Sequence, residues 1–144
     1  MRLIDANLLL YAYDIDSPHH ARASSWLERT LSDAGPVRFA LMTLMAFVRI
    51  STDPRVFQRP LAAGAACGHV AEWLALPEVA IAEPTPDHWS VLAQVAVDGQ
   101  ARGPLMMDAH LAALAVEHGA TLCTSDRDFQ RFRGLRTLDP LTSS

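Results

Sequence analysis

The sequence predicts an α/β fold: three layers, α/β/α, around a central, mostly parallel sheet of four to five strands. Three observations predict it. Short apolar runs alternate with helical patterns along the whole chain. The chain has 144 residues and is 50% hydrophobic, which suits one domain, residues 1–144, with a sizeable core. No internal repeat, low-complexity segment or linker interrupts it.

The first strand is the apolar run Arg2–Ile4, which stops at the carboxylate of Asp5. A short helix follows from Asn7 to Tyr13. Asp14 to Pro18 is a turn, and Ser17-Pro18 opens a second helix, with Pro at a suitable first position. Ala21, Trp26, Leu27 and Leu31 form its apolar stripe, and Gly35-Pro36 ends it. Val37 to Leu41 is the second strand and Thr43 to Ser51 the third helix. A loop from Asp53 to Pro60 precedes an Ala-rich helix, Leu61 to Leu76, with Trp73 and Leu76 facing inward. Val79 to Ala82 is the third strand. Thr85-Pro86-Asp87 opens a helix that runs through Val97.

Asp98 to Pro104 reads as an exposed polar loop. Asp108 then opens a helix with Leu111, Leu114, Ala115 and His118 on one face, capped by Gly119. Thr121 to Thr124 is the fourth strand and Asp126 to Arg131 a helix of one or two turns. Leu135 to Leu138 is a fifth strand at the sheet edge.

Composition excludes several chemistries. The formal charge is −4, from 16 acidic and 12 basic residues, and every basic residue is Arg. No mechanism that needs a lysine amine is available, and phosphate contacts must come from Arg, whose fork suits them. The acidic balance disfavours a general nucleic-acid binder, so an RNA role needs a local basic patch. Cys67 and Cys123, the only cysteines, read as reduced core thiols. With no signal peptide and no apolar run of about 20 residues, the expected location is cytoplasmic, without a membrane span.

The informative residues are acids at strand ends and helix starts. The carboxyl edge of an open parallel sheet is where ligands bind. Asp5 ends the first strand, Asp126 follows the fourth, Asp128 lies two residues on, and Asp108 starts a helix. Each has a local alternative. Asp5 can close an Asx turn, Asp108 and Asp126 can cap helices, and Ser125 with Asp128 can form a capping box. Gathered at one edge, the carboxylates repel unless a cation neutralises them. An all-oxygen ligand set without a Cys/His cluster points to Mg²⁺ or Mn²⁺, the equipment for phosphodiester hydrolysis. Asn7 can hold a ligand carboxylate in place or cap the first helix. Thr124 and Ser125 can orient Asp126.

Three stretches together resemble the PIN-domain superfamily and, within it, VapC-type toxin ribonucleases. They are residues 3–12 (LIDANLLLYA), 47–52 (FVRIST) and 107–135 (MDAHLAALAVEHGATLCTSDRDFQRFRGL). The resemblance covers nearly the whole chain. It implies a metal-dependent endoribonuclease, the toxin of a type II toxin–antitoxin system, neutralised by a small cognate antitoxin and forming a homodimer. It carries the metal-site acids onto Asp5, Asp108 and Asp126, with Asp128 as an outer or second-metal ligand. There is one departure. The family usually places a Glu just before the segment resembling 47–52, and here that residue is Ala46. The alternative reading is therefore a weakened or inactive PIN-like module that binds RNA or protein.

Candidate RNA contacts are Arg49, one helical turn from Ala46, then Arg102 in the polar loop, and Arg127, Arg131 and Arg133 after the fourth strand. The six His show no ligand spacing and receive no catalytic role. Trp26, Trp73 and Trp89 fall on helical stripes that predict a core or dimer-interface position. The segments Ala21–Leu31 and Leu61–Leu76 can supply surfaces for an antitoxin or a second subunit. A receiver domain lacks its Lys, a haloacid-dehalogenase-type phosphatase its second Asp (Asp5-Ala6-Asn7), and a P-loop enzyme its Gly-Lys pair.

Overall fold

The computed structural model describes residues 1–33 and 35–142. In chain order the elements are β1 (Arg2–Ile4), α1 (Ala6–Tyr13), α2 (His20–Ser32), β2 (Val37–Phe39), α3 (Leu41–Ser51), α4 (Ala63–Leu74), β3 (Val79–Ile81), α5 (His88–Asp98), α6 (Leu105–Glu117), β4 (Thr121–Cys123), a 3-10 helix (Arg127–Arg131) and β5 (Thr137–Leu138).

The strands pair in the order β3-β2-β1-β4-β5, and every pairing is parallel. The register sets Arg2 beside Val37 on one side and Ile4 beside Cys123 on the other. Successive strand residues point to opposite faces, so each strand feeds two layers. Ile4 and Cys123 enter one apolar cluster with Leu8, Phe39, Phe47 and Trp73 from β2 and helices α1, α3 and α4. Leu3 and Leu122 enter the other with Leu92 of α5 and Leu111 and Leu114 of α6. The three-layer α/β/α arrangement follows, with helices α1–α4 on one face and α5 and α6 on the other. Each fully buried Leu or Phe contributes about 1.5–3 kcal/mol.

The order of the strands creates the site. The chain builds outward from β1 through β2 to β3, then returns to the far side of β1 for β4 and β5. That reversal between β1 and β4 opens a crevice at their carboxyl ends. Asp5 lies directly past the first end and Asp126 three residues past the second.

Several elements differ from the sequence reading. Leu41 belongs to α3 and not to the second strand. Extended Ala40 accepts the N–H groups of Thr43 and Leu44, so the helix starts at once and leaves Leu41 56% exposed. The second helix starts at His20, because Ser17 and Pro18 close a turn first. Its buried stripe is Ala23, Trp26, Leu27 and Thr30, and Ala21 is exposed. Helix α6 begins at Leu105 rather than Asp108, since Pro104 already holds helical dihedrals. Cys67 is exposed, and of the two free thiols only Cys123 is in the core. Trp89 is 76% exposed, whereas Trp26 and Trp73 are buried.

Helix α6 stops where the sequence puts its glycine. Gly119 adopts φ +65°, a left-handed conformation that glycine takes without a Cβ clash. Its N–H bonds to Val116 O, and that of Ala120 to Ala115 O at 2.8 Å. This double closure delivers the chain straight into β4. Among the described residues, no helix is long and apolar enough to cross a membrane.

Candidate active site

The crevice is assembled from its backbone. Asp5 N–H donates to Cys123 O at 3.0 Å, extending the β1–β4 ladder one residue past the strands. Asp5 is therefore as rigid as the sheet. Its Oδ1 accepts Ala6 N–H at 2.8 Å and caps α1, which gives that role to Asp5 rather than Asn7. Its Oδ2 accepts the Thr124 hydroxyl at 2.8 Å. The same hydroxyl oxygen accepts Asp126 N–H at 3.0 Å. Thr124, buried at 4% exposure, thus ties the acid after β1 to the acid after β4.

Asp126 caps the 3-10 helix, its Oδ1 accepting Asp128 N–H at 2.9 Å. The cap comes from Asp126, not from a Ser125–Asp128 capping box. This bond occupies one of its two carboxylate oxygens. Asp108 has no capping role, because it sits in the first turn of α6, past the start of the helix. One oxygen each from Asp108, Asp126 and Asp128 lie within 4.8 Å of one another. Asp5 stands beside this trio, linked to it through Thr124. The trio with oxygens in mutual reach thus contains Asp128 where the sequence reading put Asp5.

The electrostatics record the crowding. Burial, then the charges of Asp126, Asp5 and Asp128, push the Asp108 carboxyl up to about 6 against the pull of Arg131. Burial also raises Asp5, opposed by its bonds from Thr124 and Ala6 and assisted by the charge of Asp126. Carboxyls that resist ionisation for want of a counter-charge fit a cation. With oxygen donors alone, the set matches hard ions of the Mg²⁺ or Mn²⁺ class.

The other predicted residues divide. Arg131 lies close enough to act on Asp108, and its Nη1 donates to Gly99 O at 3.1 Å. Arg127 is exposed between Asp126 and Asp128, and Arg102 is exposed in the loop before α6. Arg49 is exposed on α3, and its charge adds to the stronger pull of Arg55 on Asp53 in the following loop. Arg133 lines a hollow beside α5 with Asp98 and Val116. Ser125 and Asn7 are half-buried beside the acids, and Ala46 is half-buried on α3. Gly99 was not read from the sequence as a site residue. A Cβ there would stand 2.5 Å from the Phe132 ring, so glycine lets the loop before α6 close against the 3-10 helix. Its only sequence signal was a glycine at the head of the polar loop.

The PIN domain model matches residues 2–135. The chain belongs to the PIN domain family. Ribonuclease VapC37 of Mycobacterium tuberculosis is 45% identical to this PIN domain over 140 residues, covering 97% of each chain. Ribonuclease VapC43 of the same species is 39% identical over 141 residues, covering 98% of this chain and 96% of its own. Solved structures share the fold at lower identity. VapBC2 from Rickettsia felis, bound to a promoter DNA fragment, has a TM-score of 0.68 at 15% identity, covering 95% of this chain and 96% of that one. VapC20 of M. tuberculosis, described as a sarcin-ricin loop cleaving toxin, has a TM-score of 0.66 at 17% identity, covering 94% and 99%.

Proposed function

We propose that this PIN domain is a metal-dependent endoribonuclease, the toxin of a type II toxin–antitoxin pair. The observation that carries the reading is the trio Asp108, Asp126 and Asp128, oxygens within 4.8 Å, at the sheet's switch point beside Asp5. The relatives named as ribonucleases support the substrate class. Asp108, Asp126 and Asp128 would hold the ion, with Asp5 alongside. When bound, Mg²⁺ or Mn²⁺ supplies Lewis acidity toward a phosphate oxygen and acidifies water. The chain's own part is positioning. Thr124 fixes the spacing of Asp5 and Asp126, while Arg102, Arg127 and Arg131 receive phosphates flanking the cut. Two apolar clusters on one sheet support residues 1–144 as a single domain, and a cytoplasmic location accompanies the role.

Incubating the protein with total RNA and Mg²⁺, Mn²⁺ or EDTA tests the reading. Fragments that appear with metal and vanish with EDTA are expected, and binding without cleavage overturns it. The acids already stand together without a carboxylate at position 46, so the inactive-module reading is not favoured. Ala46→Glu should raise cleavage about ten- to a hundredfold at limiting metal if that position lacks a ligand or its support. An unchanged rate places the ligand set elsewhere. Thr124→Val removes the hydroxyl between Asp5 and Asp126 without changing side-chain size. A fall of about ten- to a hundredfold in metal affinity is expected, read by calorimetry, with a melting temperature lower by several degrees, because Asp5 and the Asp126 N–H each lose a bond. Arg102→Ala should weaken RNA binding evenly across sequences and lower the salt slope by about one. An unchanged slope removes Arg102 from the RNA surface.

Two surfaces support the expected partners. A groove of about 870 Å³ lies between α2 and α4, with Leu27, Leu31, Trp73 and Leu76 on its walls. Glu28, Asp33, Glu72 and Glu78 also line it, and no basic residue among the described residues does. Its chemistry suits an antitoxin segment with apolar anchors and flanking Arg or Lys. On α5, Trp89, Ala93 and Val97 follow one another along an exposed face, with Trp89 at 76% and Val97 at 73% exposure. That stripe is suited to a second copy of the chain.

A further inference from the structure

A chain of side chains joins α5 to α6, and phosphodiester hydrolysis has no use for it. Glu117 anchors it. Its Oε1 accepts Thr85 N–H at 2.9 Å, and its Oε2 faces His88 Nδ1 at 2.8 Å. His88 Nε2 in turn faces His110 Nδ1 at 2.9 Å, the two rings standing edge to face. The side chains of His88 and Glu117 are only 12% and 4% exposed, while His110 is half-buried.

A carboxylate this buried is costly unless a positive charge compensates it. Its side-chain partner among the described residues is His88, so that charge must arrive through the imidazole. A carboxylate on one ring nitrogen is also what fixes a histidine as a metal ligand, because it selects the tautomer that leaves the far nitrogen's lone pair free. Here the far nitrogen is His88 Nε2, and a second imidazole nitrogen faces it. Only one hydrogen fits between two such nitrogens. A divalent ion can take its place.

We propose that His88 Nε2 and His110 Nδ1 form a binding site for a divalent transition ion of the Zn²⁺ class, with Glu117 holding His88 in its ligand form and water completing the coordination. Zn–N bonds of about 2.0–2.1 Å in tetrahedral geometry set two nitrogens about 3.3 Å apart. From 2.9 Å the nitrogens must part by a few tenths of an ångström and both rings must turn their lone pairs toward an ion off the line between them. Imidazole nitrogens suit Zn²⁺, Ni²⁺ and Cu²⁺, whereas the carboxylate trio suits Mg²⁺ and Mn²⁺, so the two sites differ in ion preference. An ion on His88 and His110 staples α5 to α6, the helix that carries Asp108. The inference stands independently of the nuclease reading.

The test uses the full chain with Asp108→Asn and Asp126→Asn, which silences the acid cluster. Calorimetric titration with ZnCl₂ should show one equivalent bound, unaffected by excess Mg²⁺. Adding Glu117→Gln should weaken binding about ten- to a hundredfold, and His110→Ala should abolish it. The electron paramagnetic resonance spectrum of added Cu²⁺ should carry nitrogen coupling that His88→Gln and His110→Ala each remove. If His88→Gln does not fold, as read by circular dichroism, the half-exposed His110→Ala decides the matter. Absence of Zn²⁺ binding, or binding that His110→Ala leaves unchanged, overturns the proposal.

Discussion

Asp126→Asn is expected to lower metal-dependent RNA cleavage about a hundred- to a thousandfold while leaving the fold intact. Asp126 is where the acid site converges. Its charge raises both Asp108 and Asp5, it lies within 4.8 Å of Asp108 and Asp128, and its backbone is fixed by Thr124. Asn keeps an oxygen that can accept Asp128 N–H, so the cap on the 3-10 helix survives. What disappears is one negative charge on the ion. Metal catalysis supplies several kcal/mol of charge stabilisation, and each 1.36 kcal/mol is about tenfold in rate. The measurement is cleavage at saturating Mg²⁺ beside a thermal melt. A variant that cuts at the wild-type rate would sink the assignment of Asp126 to the ion.

Asp108→Asn is expected to stabilise the metal-free protein at neutral pH and to remove its stabilisation by Mg²⁺. The sign follows from the carboxyl being pushed up to about 6 in the fold, above its ordinary 3.8. The folded state then prefers the protonated form. Ionising Asp108 costs stability as pH rises through about 6, and the cost disappears as pH falls toward 3.8. Asp5 is raised too and acts in the same direction, while His110 is lowered by burial and acts oppositely. The informative quantity is therefore the difference in melting temperature between wild type and variant without metal. It should favour the variant above pH 6 and close below it. With Mg²⁺ at a hundred times its dissociation constant, wild type gains about 2.7 kcal/mol and the variant little. Protons compete with the ion for Asp108, so cleavage at limiting Mg²⁺ should fall about tenfold per pH unit below 6. A stability difference that ignores pH would show that Asp108 is not crowded by its neighbours.

Much of the fold was legible because the signals are local. Alternating apolar strands and helical stripes gave the α/β class. Asp5 after a minimal strand and Asp126 after another marked the carboxyl edge of a sheet, and Gly119 marked the end of α6. The misses also have local causes. Leu41 and Leu105 are apolar residues at junctions, and a pattern of apolar spacing cannot say whether such a residue ends a strand or starts a helix. Ala21 misses the stripe because it stands five and six residues before Trp26 and Leu27, whereas Ala23, three and four residues before them, shares their face. Cys67 reads as core, and Trp89 as core or dimer interface, because hydrophobicity says nothing about which face a neighbouring element covers; the structure exposes both.

The sequence by itself determined the candidate donors: carboxylates at positions 5, 108, 126 and 128, no Lys, and no carboxylate at Ala46. Their identity follows from residue type alone. The tertiary structure decided which of them meet. Strand order sets β4 beside β1, so Thr124 reaches Asp5 across 119 positions of sequence, and the first turn of α6 brings Asp108 to Asp126 and Asp128. It also decided that Asp128 shares the close trio while Asp5 flanks it, and that His88 and Glu117 face each other. Hydrogen bonds and charge repulsion act over a few ångströms, and only the packed sheet and helices reduce separations along the chain to that range.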